Sequence, residues 1–193
     1  LQTVSYAPHF ISTVGMAGMV LIFLSGNGLI NNAVVALGGQ SRMYMSEPRL
    51  FPWIFVISEI WKGAGWGSII YIAALSAVDI ELYEAARVDG ASKLQKIIHI
   101  DLPSIMPTMV ILLILRCGSI MSIGFEYILL LQNSLNTSTS EVISTFVYKV
   151  GLASQAADFG YGTAIGLFNS IINLILLASV NFISRQVTEK SLW

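Results

Sequence analysis

Residues 81–107, ELYEAARVDGASKLQKIIHIDLPSIMP, form a charged segment between two of the most apolar runs of the chain. Glutamate, alanine, leucine and arginine favour helix, so a short helix is predicted from Leu82 to Val88. Gly90 follows this helix and permits a turn of the backbone at low steric cost. Ser92 is expected to cap a second helix, in which a leucine and three isoleucines line one face. The segment therefore predicts a helix–turn–helix.

Two prolines follow the second helix. Pro103 is expected to end it, because the proline ring removes a backbone donor and disfavours helical geometry at Leu102. Pro107 is then expected in the first turn of the next span, where proline is tolerated.

The first helix has the features of a docking element. Ala85 and Ala86 would allow close approach by another backbone or by an aromatic side chain. Glu84 offers a charge to a cationic partner, and Val88 adds an apolar contact on the next turn. Such a helix can fill a groove on a soluble protein. An ordinary loop helix packed on its own bundle fits the same periodicity equally well.

The composition indicates a membrane protein. Of the 193 residues, 55% are hydrophobic and 11% are charged, with a mean hydropathy of +0.74, whereas soluble domains carry about 25% charged residues. The net charge of −1 gives no basis for nucleic-acid binding. Cys117 lies in an apolar run, and His9 and His99 have no ligand-like spacing. No disulfide within the chain, metal site or cofactor is predicted.

Four apolar runs reach the length of about 20 residues that a membrane span requires: residues 8–25, 51–78, 104–131 and 163–184. Residues 51–78 contain Glu59, Lys62 and a glycine-rich centre, so we predict one tilted or kinked span. An interfacial helix over residues 51–61 followed by a short span is the alternative. Backbone groups in lipid must be satisfied locally, so the runs are helices. The predicted fold is an all-α, polytopic transmembrane helical bundle.

Three polar connections join the spans. Residues 26–50 are predicted to be a loop with a short amphipathic helix, and residues 132–160 a loop with a short apolar helix around Ile143 to Val150. Residues 79–103 and the C-terminal tail share one side with five basic residues, against three on the other side. The excess of positive charge favours the cytoplasm for residues 79–103.

The spacing of the opening segment resembles a family signature. Residues 84–103 follow the pattern EAA, three residues, Gly, nine residues and Ile-x-Leu-Pro. This pattern resembles that of inner-membrane permease subunits of binding-protein-dependent ABC importers. The stretches VSYAPHFISTV, IWKGAGWGSIIYIAALSAVDIELYEAA and GTAIGLFNSIINLILL resemble the branch that takes up oligosaccharides and polysaccharides.

The resemblance extends over essentially the whole chain and implies a type I ABC importer permease-like fold. Residues 1–193 would form a single transmembrane permease domain, with residues 79–103 as its cytoplasmic coupling-helix loop. Complete members usually have six spans, so the chain is expected to lack the first two.

The implied function is that of a permease subunit of an ATP-driven carbohydrate importer, not an enzyme, in the bacterial cytoplasmic (inner) membrane. The implied partners are a cytoplasmic ABC ATPase dimer, a second homologous permease subunit, an extracytoplasmic solute-binding protein, the sugar and the lipid bilayer. The chain contains no G-x-x-x-x-G-K-[ST] phosphate loop, so a partner must hydrolyse the ATP. The resemblance and the docking features above assign ATPase coupling to Glu84, Ala85, Ala86, Val88, Gly90, Leu102 and Pro103.

Polar and aromatic residues within the spans are candidates for the substrate path, because ionisable groups there cost about 2.5–3.5 kcal/mol and usually face a cavity or a partner. The candidates are Asn169, Asn173, Glu126, Arg116, Trp66 and Tyr71. Arg116 falls in the middle of its predicted span, where the family more usually has an uncharged residue. An ion pair with a partner permease or with an anionic sugar group would explain it.

Each candidate also has an ordinary interpretation. The asparagines can hydrogen-bond a neighbouring helix, Trp66 can pack or anchor at the interface, and Glu126 can be solvated near the outer end of its span. Glu59 and Lys62, three residues apart, can neutralise each other.

Two other functions stay open at this point. An ATP-independent carrier or channel would be favoured by inverted repeats or a chain of intramembrane acids, and the sequence displays neither. A non-transporting membrane scaffold would leave the polar groups within the spans unexplained.

Overall fold

The computed structural model of the protein describes residues 2–122, 124–154 and 157–188. In these residues every regular element is helical, which confirms the all-α prediction. The chain divides into two compact units, Leu1–Trp66 with Ser122–Asn169, and Gly67–Met121 with Ser170–Trp193. Two long helices, α4 (Phe51–Ser76) and α11 (Phe159–Thr188), contribute residues to both units.

The first unit contains most of the short helices. They are α1 (Gln2–Tyr6), α2 (Thr13–Phe23), α3 (Leu29–Ala36), α8 (Phe125–Leu131), α9 (Thr137–Ser140) and α10 (Ile143–Tyr148), with 3₁₀ turns at Ala7–Phe10 and Tyr44–Ser46. A buried apolar cluster forms the core of this unit. Its members are Met16, Ala17, Met45, Phe51, Tyr127, Ile128 and Leu131. The short helices expected in residues 26–50 and around Ile143 are confirmed by α3 and α10.

The second unit contains α5 (Ile80–Val88), α6 (Lys93–Lys96) and α7 (Leu102–Cys117). A wider π-helical turn, Ile97–Asp101, joins α6 to α7, so residues Lys93–Cys117 form one helix of 25 residues. The side chain of Ile114 is fully buried.

Pro103 does not end the second helix, contrary to the sequence-based prediction. The amide of Leu102 donates to the carbonyl of Ile97, five residues earlier, and the wider turn accommodates the proline ring that a regular helix would reject. Pro107 consequently lies inside α7, beyond its first turn.

Among the described residues, two helices are long and apolar enough to cross a membrane, Lys93–Cys117 and Phe159–Gln186. The second confirms the predicted span at residues 163–184. Residues 8–25 are not one straight span, because Val4–Phe10 and Thr13–Phe23 are bent by 108°. Ser12 ends the first segment and caps the second, its hydroxyl accepting from the amide of Gly15 at 3.1 Å.

The other two predicted spans have different outcomes. Residues Phe51–Ser76 form one continuous helix of 26 residues, so the interfacial helix with a separate short span is not formed. Residues 104–131 are broken, because α7 ends at Cys117 and α8 begins at Phe125. Gly124, with φ +56°, adopts the left-handed conformation that favours glycine. The expectation of one span over residues 104–131 was therefore wrong.

Candidate functional site

The helix–turn–helix at residues 80–101 has the local structure that its sequence predicts. The carboxylate of Asp79 caps α5 by accepting from the amide of Glu81 at 3.0 Å. Gly90 turns the backbone with φ +72°. Ser92 and Gln95 form a capping box on α6, in which the amide of Ser92 donates to Oε1 of Gln95 at 2.8 Å. We call this segment the elbow.

The elbow is not shielded by the described part of its own chain. Neither α5 nor α6 contains a buried residue, and the exposed fraction reaches 88% at Val88 and 69% at Ile80. Glu84 and Ala85 are exposed as well, and Ala86 is half-buried. An apolar surface of this kind is typical of an interaction site.

A notch of about 340 Å³ lies on the inner side of the elbow. It is lined by Ala86, Asp89, Gly90, Ala91, Gln95, Lys96, His99 and Ile100. A Cβ atom at Gly90 would point into open space. The constraint on this position is therefore its backbone conformation and not its packing.

A hydrogen bond ties α5 to the π-helical turn. The hydroxyl of Tyr83 donates to a carboxylate oxygen of Asp101 at 2.5 Å. This hydrogen bond, followed by partial burial and the negative charge of Asp101, raises the pKa of the Tyr83 phenol. Sequence reasoning missed this pair, because 18 residues separate its members and no periodicity connects them.

Leu102 and Pro103 stand at the first two positions of α7, directly above the π-helical turn, and both are exposed. The structure thus places every predicted coupling residue on the elbow or at its junction with the long helix.

Two of the predicted substrate-path residues share a cleft. Tyr71 on α4 and Arg116 on α7 line an open cleft of about 440 Å³ in the second unit. The other lining residues are Gly67, Ile70, Met106, Met109, Val110, Leu112 and Leu113. We call this the arginine cleft.

Trp66 has aromatic neighbours within the first unit. The ring of His9 stacks on it with centroids 4.5 Å apart, and Phe10 meets it edge-on at 5.9 Å. These contacts agree with the packing interpretation of Trp66.

The two asparagines of α11 have different surroundings. Oδ1 of Asn173 accepts from the amide of Met121 at 3.3 Å. Met121 lies in the 3₁₀ turn Ile120–Ser122, so this contact agrees with the interpretation that the asparagines hydrogen-bond a neighbouring helix. Asn169 lines a separate cleft of about 340 Å³ with Phe125 and Tyr148. Glu126 is exposed in the first turn of α8.

Glu59 and Lys62 do not neutralise each other as expected. Among the described residues the ion pair within 4 Å joins Lys149 and Glu141, and Nζ of Lys62 instead donates to the hydroxyl of Thr13 at 3.3 Å. The three-residue spacing allows a pair but does not require one.

Sequence reasoning also missed a polar network in residues 132–149. The fully buried amide of Asn136 donates to the carbonyls of Met45 at 3.1 Å and Leu131 at 3.2 Å. Nζ of Lys149 donates to Glu141 at 2.9 Å. The asparagine- and serine-rich start of this loop was the available signal.

Within residues 2–122, 124–154 and 157–188, no group of three or more histidine, cysteine, aspartate or glutamate side chains could hold a metal ion. The described chain thus offers other molecules the exposed elbow with its notch, the arginine cleft and the cleft beside Asn169.

Known proteins resemble the chain along almost its full length. The family described as the inner membrane component of binding-protein-dependent transport systems matches residues 1–189. Protein LplB of Bacillus subtilis (strain 168) is 39% identical over 194 residues. The polygalacturonan/rhamnogalacturonan transport system permease protein YteP of the same organism is 38% identical over 194 residues. Each alignment covers 100% of this chain and 60% of the relative.

Solved structures are similar as well. A chain of a bacterial alginate ABC transporter, in complex with an alginate pentasaccharide-bound periplasmic protein, superposes with a TM-score of 0.94 at 41% identity. The match covers 99% of this chain and 66% of that chain. The protein therefore spans about 60% of the length of the curated relatives that it matches.

Proposed function

Because the chain belongs to the family of inner membrane components of binding-protein-dependent transport systems, we propose that it is a transmembrane permease subunit of an ATP-driven importer of oligosaccharides or polysaccharides. It forms half of the translocation pathway and couples to cytoplasmic ATPase subunits. Residues 1–193 act as one permease domain that crosses the bacterial cytoplasmic membrane several times, with residues 79–103 on the cytoplasmic side.

The observation that carries the proposal is the exposed elbow. Its apolar side chains are exposed in the described chain, although burying them would be favourable, and the charged Glu84 is exposed beside them. A groove on an ATPase subunit supplies that burial in the helix-in-groove mode. Glu84, Ala85, Ala86, Val88 and Gly90 form the contact surface.

The elbow also transmits the free energy of ATP binding from the ATPase to the helices in the membrane. ATP binding favours a closed ATPase dimer over an open one, and each ATPase subunit carries the elbow of one permease. A ligand can shift an equilibrium only by its differential affinity for the two states. The elbow is the part of this chain that moves with the ATPase, and Leu102 and Pro103 pass that movement to α7.

The cargo is a carbohydrate delivered by an extracytoplasmic solute-binding protein. The names of YteP and of the alginate transporter, which specify polygalacturonan, rhamnogalacturonan and alginate, support a sugar chain as cargo. A second, homologous permease subunit completes the pathway. Asn169, Asn173, Glu126, Arg116, Trp66 and Tyr71 are the residues of this subunit proposed to line it.

Co-purification tests the proposal against an ATP-independent carrier. The full-length chain is purified from membranes with its ATPase, as wild type and as Glu84→Lys. Glu47→Lys is the control, because it makes the same charge change in the connection of residues 26–50, which is proposed to lie on the other side of the membrane. We expect the ATPase to co-purify with wild type and with the control, and to be lost from Glu84→Lys. Sugar uptake by the wild-type chain without any ATPase would contradict the proposal.

A further inference from the structure

Arg116 occupies an unusual position for a cation. It lies in the last turn of α7, 14 residues beyond Leu102, which corresponds to about 21 Å along the helix axis. An apolar run precedes it, and the stretch that follows to Leu131 is mostly apolar but contains Ser119, Ser122 and Glu126. With Leu102 at the cytoplasmic edge of a hydrocarbon layer about 30 Å thick, this position falls within the membrane, where a charged group needs a counter-charge or a polar cavity.

The helix break that follows Arg116 is held in place by α11. Asn173 accepts a hydrogen bond from the amide of Met121. Gly118 packs so closely on Leu177 that a Cβ atom at this glycine would lie 2.4 Å from Cδ1 of the leucine. Irregular backbone at membrane depth is tolerated where it is buried in protein or lines a water-filled cavity. Gly118 and Met121, at the start of the break, are therefore held against α11.

The arginine cleft provides such a cavity. Its volume is about 440 Å³, and Arg116 and Tyr71 are the lining residues with polar side chains. Among the residues that the structure describes, no carboxylate lies within 4 Å of the Arg116 guanidinium. The cation thus faces the cleft without a counter-charge from the described chain.

From this arrangement we infer that the arginine cleft binds the carboxylate of an acidic sugar, so that the cargo is a uronate-containing saccharide. The guanidinium of Arg116 matches a carboxylate in a bidentate arrangement. The ring of Tyr71 offers an apolar face to the C–H surface of the sugar ring. This inference rests on the proposed function, of which it specifies the substrate class.

The test measures binding of a uronate oligosaccharide and of its neutral methyl ester to the purified, assembled transporter that contains the full-length chain, without the solute-binding protein. Arg116→Gln should weaken binding of the acid about tenfold or more and leave binding of the ester unchanged. Arg116→Lys should fall between Arg116→Gln and wild type. Arg185→Gln is the matched control, because it removes an exposed arginine from the last turn of α11. It should change neither the binding of the acid nor the binding of the ester.

Three outcomes overturn the inference. Equal losses for the acid and the ester would mean that Arg116 does not recognise charge. The binding is also measured with the transporter in lipid vesicles. An affinity for the saccharide that depends on the anionic-lipid content of these vesicles, and not on the charge of the sugar, would assign Arg116 to a lipid headgroup. ATP-driven uptake of the ester but not of the acid by wild type would exclude an acidic cargo. In each of these cases the proposed function stands, whereas wild type without ATP-driven uptake of any saccharide would overturn both.

Discussion

At the scale of single residues, backbone conformation decides more than side-chain contact at the tip of the elbow. Gly90 has a φ of +72° and nothing within 4 Å of the place that a Cβ atom would take. A left-handed conformation costs an ordinary L-residue about 1–2 kcal/mol. Within the described chain, substitutions here thus act on the shape of the turn and not through a clash of the Cβ atom.

Gly90→Leu should uncouple transport while the protein remains inserted in the membrane. Leucine disfavours the left-handed turn, so the two helices of the elbow lose the angle at which they dock. The measurement is substrate-stimulated ATP hydrolysis in proteoliposomes. Asparagine tolerates this conformation, so Gly90→Asn should retain most of the stimulation. Normal stimulation in Gly90→Leu would show that the turn does not determine coupling.

Glu141 gives a residue-scale prediction about pH. Burial raises the pKa of Glu141, but hydrogen bonds from Lys149 and Thr145 outweigh it, so that the pKa lies below its ordinary value of 4.5. A carboxylate with a lowered pKa stabilises the fold above its unfolded-state pKa, and this stability is lost as the pH falls through the folded-state value.

Glu141→Gln should therefore lower the thermal unfolding temperature at neutral pH, and the difference from wild type should shrink well below pH 4.5. Unfolding of the detergent-solubilised protein is followed at both pH values. Glu47→Gln, in which no ion pair is lost within the described residues, should match wild type throughout. A difference that does not change with pH would assign the effect to shape and not to charge.

At the scale of helices and turns, the hydrogen bond between Tyr83 and Asp101 is the contact that we expect to matter for the proposed coupling. It joins α5 to the π-helical turn at the base of the long helix Lys93–Cys117. The docking surface is thereby tied to the helix that carries Arg116. Without this bond, α5 would connect to that helix mainly through the turn at Gly90.

Tyr83→Phe and Asp101→Asn should each lower sugar uptake per ATP hydrolysed without releasing the ATPase. Each removes or weakens a hydrogen bond to a charged group, a change of about 1 kcal/mol at a partly exposed site. Because the residues act as a pair, the double variant should be no worse than either single one. Fully additive losses would mean that the two residues act independently.

Among the helices and turns, the sequence predicts the local features well and the features that depend on distant residues poorly. Helix propensities, Gly90 and the Ser92 cap were sufficient to predict the elbow, because turns and caps depend on neighbouring residues. The course of the chain at Pro103 was not predictable, since the π-helical turn has no sequence pattern of its own. The break after Cys117 was missed for a related reason. Apolar character alone does not distinguish a continuous span from an interrupted one, and the bond from Asn173 to Met121 joins residues 52 positions apart.

At the scale of the whole molecule, the proposed membrane topology can be tested directly. The chain contains one cysteine, Cys117, so a Cys117→Ala background allows single cysteines to be introduced. In that background, Ser92→Cys should react with a membrane-impermeant maleimide only from the cytoplasmic side. Ser134→Cys should react only from the outside. Both positions are exposed, and labelling of both from the same side would contradict the proposed topology.

The π-helical turn Ile97–Asp101 has a consequence for insertions and deletions. Successive residues of an α-helix are rotated by about 100°, and this wide turn absorbs one residue more than a regular helix would. Deleting a single residue there would convert the wide turn into a regular one and leave Arg116 on nearly the same face of the helix, whereas a deletion within residues 102–115 would rotate it by about 100°. The five residues Ile97–Asp101 are therefore the part of this helix in which the loss of one residue does not turn the arginine away from its cleft.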